Sequence, residues 1–382
     1  MRDNNLKNQT DIRFKMTSKP KMIYLVAGAR PNFMKIAPII RAIQKHQNEL
    51  SYKLIHTDQH YDKAMSQVFF DELGIPEPDF HLGCGGGSHA EQTAKIMVEF
   101  EKVCVAERPD CVLVVGDVNS TLACSIVSKK LGIRVAHVEA GLRSGDMSMP
   151  EEINRIVTDS ISDWFFVTEP SGETNLLSEG KPRKAIFHVG HVMVDNLYYQ
   201  MERLEAVANE LETTTLKRLL GKYGVVTLHR PATVDDPKLL ESVCNLLNEC
   251  AESLPLVFPV HPRTRKTLSR IGLNFSEKVH LLEPLSYMAF LNLWKDAQLV
   301  LTDSGGLQEE TTAAGVPCIT LRPTTERPIT VSEGTNYLVG TEANAVHDAF
   351  KTIMSGNRKG GIPEFWDGHA ASRIIDVLLS KL

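Results

Sequence analysis

Three acidic residues in the first half of the chain stand where parallel α/β proteins place chemical groups. Asp117 follows the apolar run 111–115 and Glu139 follows the apolar run 133–136, and both runs predict buried strands. Glu151 lies in the first turn of a predicted helix. Ligands of open parallel sheets bind beyond the carboxyl ends of the strands, so we expect these carboxylates to face one crevice. Because carboxylates serve as general acids and bases, the sequence predicts a site for proton transfer.

The local setting of each acid leaves its role partly open. An aspartate between a strand and a helix is often only the helix cap, and for Asp117 the sequence leaves cap and catalyst as equal alternatives. Glu151 is expected to remain ionised because the helix dipole favours an anion at that end. It therefore suits a base or a group that stabilises positive charge. The sequence does not show which of the three acids would take up a proton and which would give one.

A small-residue turn in the second half predicts a phosphate site. The apolar run 299–302 is followed by Ser304, Gly305 and Gly306, and a helix is predicted to begin there. Glycines let the backbone approach a ligand closely, and the free amides and positive dipole end of the helix favour a diphosphate. Glu310 lies one to two turns further along, within reach of ribose hydroxyls. The alternative is an ordinary glycine-rich turn, and the nearby acid favours binding.

Basic residues follow other predicted strands. Arg30 offers a planar fork to a diphosphate, and Lys35 adds a point charge from the same predicted helix. No Gly-x-Gly-x-x-Gly pattern accompanies them, which argues against dinucleotide binding. His229 and Arg230 also end a predicted strand and are interpreted as groups on the phosphate side. No Asp-x-Asp spacing occurs and no cluster of metal ligands is evident, so the sequence predicts no metal site.

Composition limits the class of protein. The chain has 382 residues, of which 42% are hydrophobic and 23% charged, and this length favours two domains over one. The net charge of −5 comes without a polybasic stripe, so neither nucleic acid nor an anionic membrane is expected as a partner. No apolar run is long enough to cross a membrane. The expected ligand is a small molecule.

Cysteine usage indicates the compartment. The seven cysteines are scattered, without a Cys-x-x-Cys pair, and several lie inside apolar runs. That usage is typical of a reducing environment, so we expect a cytoplasmic protein. Residues 1–20 are polar with mixed charge and lack the pattern of a signal peptide, which predicts a flexible N-terminal extension.

Strand-like runs alternate with amphipathic helical stretches in two series. The runs are 22–27, 53–57, 111–115, 133–137 and 164–168, then 224–228, 256–260, 279–282, 299–302 and 317–321. This rhythm predicts two doubly wound, Rossmann-like α/β domains, at 21–190 and 191–369, facing a central cleft with a hinge near Gly190. Residues 370–382 predict a terminal helix that can pack on either domain, including back on the first.

The order and spacing of several motifs, from about Met22 onward, resemble those of the non-hydrolysing UDP-N-acetylglucosamine 2-epimerases. The motifs are Gly28-Ala-Arg-Pro with Lys35, Gln59-His60, Gly116-Asp117, His137-Val-Glu-Ala-Gly-Leu-Arg, Pro150-Glu-Glu-Ile-Asn-Arg, His229-Arg230, Asp303-Ser-Gly-Gly-Leu-Gln-Glu-Glu310 and Thr325-Glu-Arg-Pro. The resemblance implies a glycosyltransferase-B type fold and a homodimer. It further implies an enzyme that uses no cofactor and no metal.

The implied reaction interconverts UDP-N-acetylglucosamine and UDP-N-acetylmannosamine, which would supply precursors of surface polysaccharides. UDP leaves to give a 2-acetamidoglucal, a proton returns to the opposite face of C2, and UDP adds again. Matching the motifs assigns catalysis to Asp117, Glu139, Glu151 and His229. The same match assigns substrate binding to Arg30, Lys35, Arg155, His229, Ser304, Gly305, Gly306, Glu310 and Arg327.

Some positions depart from the family pattern. Asn32 replaces a frequent glutamate, and Pro231 follows His229-Arg230 where many relatives have another arginine. Some members carry a regulatory UDP-N-acetylglucosamine site, which would use Gln59, His60 and Gln92 here. Related enzymes act on modified UDP-2-acetamido sugars, so such a substrate is one alternative. A glycosyltransferase of the same fold and a non-catalytic nucleotide-sugar sensor are two others, and the three acids disfavour both.

Overall fold

The computed structural model describes residues 19–59, 70, 73–357 and 360–382. Residues 1–18, and with them most of the predicted flexible extension, lie outside the described residues. The chain forms two parallel β-sheets of seven and six strands. The predicted pair of doubly wound α/β units is therefore confirmed.

The first sheet has the strand order β3-β2-β1-β4-β5-β6-β7. Its strands are β1 (Lys21–Ala27), β2 (Leu50–His56), β3 (Phe80–His81), β4 (Cys111–Val115), β5 (Arg134–Val138), β6 (Trp164–Val167) and β7 (Ile186–His188). All neighbouring strands run parallel. The order reverses between β1 and β4, and this reversal opens a crevice at their carboxyl ends.

The second sheet repeats this order as β10-β9-β8-β11-β12-β13. Its strands are β8 (Gly224–Thr227), β9 (Leu256–Pro259), β10 (Val279–Leu282), β11 (Leu299–Thr302), β12 (Cys318–Thr320) and β13 (Asn336–Leu338). The reversal lies between β8 and β11, so the loops that contain His229 and Ser304 begin side by side.

Helices cover both faces of each sheet. Those of the first half are α1 (Arg30–Ile43), α2 (His89–Ala106), α3 (Asn119–Lys130), α4 (Pro150–Ile161) and α5 (Pro170–Ser178). Next come α6 (Val192–Val207), α7 (Glu212–Leu220), α8 (Pro231–Val234), α9 (Pro237–Ala251), α10 (Pro262–Ile271), α11 (Tyr287–Trp294), α12 (Gly305–Ala313), α13 (Ile329–Ser332), α14 (Ala343–Met354) and α15 (Ala370–Lys381). None of the described helices is both long and apolar enough to span a bilayer.

The strands form because their side chains are apolar on both faces, as parallel sheets covered by helices require. Every residue of β4 is buried, for example. On one face of the first sheet, α1 and the terminal helix α15 share a core that includes Phe33, Ile374 and Leu378. The terminal helix thus packs against the first sheet although it follows the second along the chain.

Sequence patterns located the long strands to within a few residues and missed the short ones. β3, β7 and β13 have only two or three residues, too few to show an apolar run. All three lie at sheet edges, where hydrogen bonds to a single neighbour define the strand.

The two halves are joined by two segments that cross side by side. Gly190 has a φ of +89°, and a Cβ built there would lie 2.0 Å from the carbonyl oxygen of Phe365. Trp366 donates from its indole nitrogen to the carbonyl of Thr168 at 3.4 Å. Asp195 of α6 accepts from the amides of Ala370 and Ala371, which caps α15.

Replacing Gly190 with alanine should destabilise the protein more than the matched change at Gly180. Both glycines have a positive φ, but a Cβ at Gly180 meets nothing within 4 Å. Gly180→Ala should cost about 1 kcal/mol for the left-handed backbone alone. Gly190→Ala should cost about 2 kcal/mol beyond that, since the chain at Phe365 must shift. Urea unfolding midpoints of the two variants test this, and equal midpoints would contradict the close approach.

Candidate active site

Glu139 lies at the centre of the cleft. It directly follows β5, and its φ of +66° is in the left-handed region that residues other than glycine rarely occupy. Its side chain is only 3% exposed. One carboxylate oxygen contacts the Lys35 ammonium of the first half, and the other contacts the Arg327 guanidinium of the second half. A single carboxylate therefore connects the two sheets.

The two cations determine the charge state of Glu139. Burial alone would raise the pKa of this carboxyl, but Lys35, Arg327 and His191 together hold the pKa well below its usual value. Glu139 is therefore ionised at neutral pH. A buried carboxylate of this kind is stable only while its partners remain in place.

Arg327 is the cation that the second half contributes. It lies between β12 and α13 and is held by Glu309 of α12 through its Nε. Its Nη1 is 3.8 Å from Glu169 Oε2 of the first half. Burial would lower the pKa of Arg327, but Glu309, Glu139 and Glu169 raise it far above its usual value. Arg327 thus joins three carboxylates from both sides of the cleft.

Sequence reasoning missed three members of this ion cluster. His191 is the N-cap of α6, and its Nε2 lies 3.0 Å from Glu309, the second member. The third, Glu169, occupies the N-cap position of α5, but its side chain makes no capping hydrogen bond. Burial would raise the pKa of Glu309, but Arg327 and His191 lower it to about 2. One indication of this cluster was present in the sequence, the adjacent pair Glu309 and Glu310, and only Glu310 was predicted to be a site residue.

Two polar side chains shape the first-half loops around Glu139. Asn32 accepts from the amides of Gly28 and Ala29 and donates to the carbonyl of Val115. Gly116 has a φ of +67°, and a Cβ there would lie 3.2 Å from Lys35 Nζ. The glycine therefore leaves room for the lysine, and Asn32 links the loop after β1 to the end of β4 as both acceptor and donor.

A buried histidine holds the two acid-bearing loops together. Nδ1 of His137 is 2.7 Å from Asp159, and Nε2 is 2.9 Å from the carbonyl oxygen of Gly116. Since both partners accept, both ring nitrogens donate and the ring is an imidazolium. Burial alone would lower the pKa of His137, but Asp159 and the carbonyl of Gly116 raise it. Asp159 also accepts from the amide of Gly141, which fixes the loop after Glu139.

Asp117 has a different set of partners from Glu139. It accepts from Nε and Nη2 of Arg155 at 3.0 and 2.7 Å, and its side chain is 31% exposed. The N-cap of α3 is Val118, without a side-chain cap, so the capping alternative for Asp117 is wrong. Arg155 also binds Glu152, whose carboxylate accepts from the amides of Ser144 and Gly145. Arg155 thus fixes the position of the Asp117 carboxylate.

Glu151 lies in the first turn of α4. It lines a polar cavity of about 290 Å³ together with Gln59, Gln92, Asn119 and Asn154. Asn119 donates to Gln92, and Asn154 donates to the carbonyl of Asp117, so the cavity adjoins the acid loop. Glu151 thus lies beside Val118, next to Asp117, and one crevice for all three acids stays a prediction. His60 lies outside the described residues.

The second half forms a cradle at the N-terminus of α12. Ser304 is the N-cap, and Gly305 and Gly306 begin the helix. A Cβ on Gly305 would lie 3.4 Å from Arg230, 3.6 Å from Arg322 and 3.6 Å from Glu326, which pairs with Arg322, so two guanidinium groups and one carboxylate flank the helix end. Arg322 had no signal in the sequence, because it follows a strand without a motif. Free amides, the helix dipole and two arginines together suit a diphosphate.

Buried Asp303 fixes His229 beside this cradle. Its carboxylate accepts from the amides of His229 and Arg230 and lies 3.2 Å from His229 Nδ1. Glu310, further along α12, accepts from the Tyr287 hydroxyl at 3.2 Å, and burial raises its pKa to about 7. Arg30 begins α1 and is exposed at the mouth of the first-half loops.

The sequence predicted no metal site, but the described residues contain one group of side chains that could hold an ion. His56, Asp58 and His81 offer three ligand atoms that all lie within 4.8 Å of one another. The sequence did not indicate that these residues meet, because His81 lies on a neighbouring strand, 25 residues after His56.

Two parallel Rossmann-like sheets with a helix-end cradle in one and acids in the other define a nucleotide-sugar enzyme of the glycosyltransferase-B type. The UDP-N-acetylglucosamine 2-epimerase family model matches residues 41–379. The chain therefore belongs to the UDP-N-acetylglucosamine 2-epimerase family, as the motifs predicted.

Individual relatives agree with this assignment. The UDP-N-acetylglucosamine 2-epimerase of Methanocaldococcus jannaschii is 41% identical and covers 93% of this chain and 98% of its own length. A UDP-2,3-diacetamido-2,3-dideoxy-D-glucuronate 2-epimerase of Pseudomonas aeruginosa is 40% identical, covering 93% of this chain and 99% of its own. The crystal structure of the M. jannaschii enzyme with UDP-GlcNAc and UDP has a TM-score of 0.74 at 40% identity and covers 93% and 99% of the two chains.

Acid should destabilise the protein through Glu309. Its folded-state pKa of about 2 lies below its ordinary value, so its stabilising contribution is full above about pH 4.5 and is lost as the pH falls toward 2. We expect the free energy of unfolding of Glu309→Gln to depend less on pH in that window, by on the order of 3 kcal/mol. Urea unfolding at a series of pH values measures this. The control is Glu252→Gln, an exposed partner of Lys278, which should keep the wild-type slope.

Proposed function

We propose that this protein interconverts UDP-N-acetylglucosamine and UDP-N-acetylmannosamine by inverting the sugar at C2 without net hydrolysis. The hydrogen at C2 has no neighbouring carbonyl to acidify it, so a carboxylate cannot simply remove it. Departure of UDP builds positive charge at C1, and that charge makes loss of the C2 proton feasible. UDP then adds again after a proton has returned to the opposite face.

One observation supports this chemistry best: the contact of Glu139 with both Lys35 and Arg327. Arg327 is held by Glu309, which lies four residues after Gly305 on α12. Four residues of helix rise about 6 Å, a separation that a sugar and its attached diphosphate can bridge. A carboxylate suited to the sugar thus lies near a cradle suited to the diphosphate.

The roles follow from these positions. Asp117 and Glu139 are the acids next to the sugar, and Lys35 and Arg327 carry the positive charge that keeps Glu139 ionised. Ser304, the two following glycines, Arg230 and Arg322 bind the diphosphate as negative charge develops on it. His229, which Asp303 holds beside the cradle, is proposed to assist departure of UDP. Glu310 is proposed to accept from the ribose hydroxyls, and Arg30 to contact the phosphates from the opposite wall.

Glu151 is proposed to act as the third acid from the polar cavity beside Asp117. The same cavity contains Gln59 and Gln92, which would form a regulatory site for a second sugar nucleotide. Asn154 links the cavity to the loop of Asp117 by donating to its carbonyl. A ligand in the cavity would therefore act on the acid loop directly.

Retention of the glucal requires that water be kept out while UDP remains bound. We infer two domains, 21–190 and 191–369, that close over the cleft by bending at the paired crossings near Gly190 and Phe365. The ion cluster around Arg327 supports this, since it joins the two sides in a closed arrangement.

The remaining proposals concern assembly and location. Val98 and Val105 lie two turns apart on α2 and are 54% and 69% exposed, which supports a homodimer through the first half. The seven cysteines are free and buried, which supports a reducing, cytoplasmic location. The product would enter surface polysaccharides.

A modified substrate is the second candidate. The P. aeruginosa relative, whose name describes a UDP-diacetamido-uronate epimerase, is as similar to this chain as the M. jannaschii enzyme within one percentage point. The reaction would be the same, and only the groups at C3 and C6 of the sugar would differ.

The reaction is tested by incubating the protein in deuterated water with a panel of UDP-2-acetamido sugars. We expect deuterium at C2 of UDP-N-acetylglucosamine, with the manno epimer formed, because proton removal and return use solvent-exchangeable acids. NMR follows both. Deuterium only in a uronate or diacetamido sugar would select the second candidate. No deuterium in any sugar would refute the epimerase proposal.

The acids are tested by Asp117→Asn and Glu139→Gln. Each should lower kcat by roughly 100-fold to 10,000-fold, since general acid–base catalysis contributes about that much. Binding of UDP to Asp117→Asn, measured by calorimetry, should stay close to wild type because the cradle lies in the other sheet. The control is Asp110→Asn at the amino end of β4, where the carboxylate pairs with Lys21 at the surface. Wild-type turnover of both acid variants would refute the assignment.

A further inference from the structure

A compact group of metal-binding side chains lies at the edge of the first sheet, outside the proposed active site. His56 ends β2, Asp58 follows two residues later, and His81 ends β3 in register with His56. His56 Nδ1 is 2.6 Å from Asp58 Oδ1, and His81 Nδ1 is 3.3 Å from the same oxygen. Two imidazole nitrogens thus converge on one carboxylate oxygen.

The histidines differ in burial in a way that suits an ion entering from solvent. The His56 side chain is 4% exposed, whereas that of His81 is 57% exposed. Nε2 of His56 is buried and has no hydrogen-bond partner among the described residues. The hydrogen bond to Asp58 therefore leaves this ring only half satisfied, which is uncommon for a buried polar group.

The backbone at Asp58 is strained. Its φ is +56°, in the left-handed region where glycine is favoured. The second carboxylate oxygen, Oδ2, accepts from the amide of Gly83 at 2.8 Å, so both oxygens have fixed directions. Strained residues that persist with fully directed side chains often mark a functional position.

We propose that His56, Asp58 and His81 bind one divalent transition-metal ion, for which Zn²⁺ is the best match. Two imidazoles and one carboxylate are a ligand set that zinc takes readily, with water at the fourth position. Mg²⁺ and Ca²⁺ prefer oxygen ligands throughout and are disfavoured. The ion would replace the hydrogen bonds that now join the three side chains, so Asp58 Oδ1 and both ring nitrogens would keep their directions.

The ion would fasten the edge of the sheet. β3 has only two residues and pairs with β2 alone, so few hydrogen bonds hold it. Binding in the folded state only would stabilise the fold by mass action. Asp58 also directly precedes Gln59, whose Oε1 accepts from the amide and hydroxyl of Ser120 beside the polar cavity. The ion would thereby also restrain the wall of that cavity. The metal site is independent of the proposed epimerase activity.

Calorimetric titration of the untagged, metal-stripped full chain with Zn²⁺ tests the proposal, and Co²⁺ absorption provides a second readout. We expect one ion per chain and a visible Co²⁺ band of tetrahedral type. Asp58→Gly and His81→Ala should each weaken Zn²⁺ binding by roughly 100-fold. Zn²⁺ should raise the Tm of the wild type and leave that of Asp58→Gly unchanged.

Asp58→Gly also guards against misfolding, because glycine relieves the left-handed backbone and should not lower the Tm of the metal-free protein. The matched control is His347→Ala, since His347 pairs with Glu249 at the surface without a third ligand. It should bind Zn²⁺ as the wild type does. Absence of one-to-one binding would overturn the proposal, as would equal affinity of Asp58→Gly and wild type.

Discussion

A buried carboxylate between two cations from opposite halves of the chain is the interaction on which the cleft depends. Glu139 contacts Lys35 of the first half and Arg327 of the second. An ionised carboxylate away from water is unstable unless its oxygens are paired, so both halves must approach within contact of one residue. Removal of either cation would leave one oxygen of the buried carboxylate without its charged partner.

Residues around this carboxylate and its two cations hold all three in position. Gly116 leaves space for the Lys35 side chain, and the His137 imidazolium ties the loop of Gly116 to Asp159 and so to the loop of Glu139. On the other side, Arg327 is oriented by Glu309, which lies on α12, the helix that begins at the proposed phosphate cradle. The groups proposed to bind the leaving group and to handle the proton are thereby held in fixed positions relative to one another, which is how a site achieves orientation without reorganisation during a reaction.

Sequence patterns predicted those features of the fold that depend on residues close together in the chain. The apolar runs predicted both sheets, and the acids at strand ends and the turn at Ser304 indicated the loops where binding is proposed. What they could not predict depends on contacts between distant segments. Glu309 and His191 look like ordinary helix residues until the two halves meet, and Arg322 follows a strand without a motif.

Other placements also depend on contacts between distant segments. Glu151 lines the polar cavity with Gln59 and Gln92, which come from two other parts of the chain. Asp117 had a local alternative as a helix cap, and only the position of Val118 removes it. Likewise His56 and His81 meet only because β2 and β3 pair in one particular register.

The central claim is that Glu139 and Arg327 act as one unit across the cleft. A double-mutant cycle with Glu139→Gln, Arg327→Met and the double variant, read out as kcat/KM for UDP-N-acetylglucosamine, tests it most directly. We predict strong non-additivity, with a coupling energy of about 1 to 3 kcal/mol. Effects that add to within about 0.5 kcal/mol would contradict the account, since independent sites behave in that way.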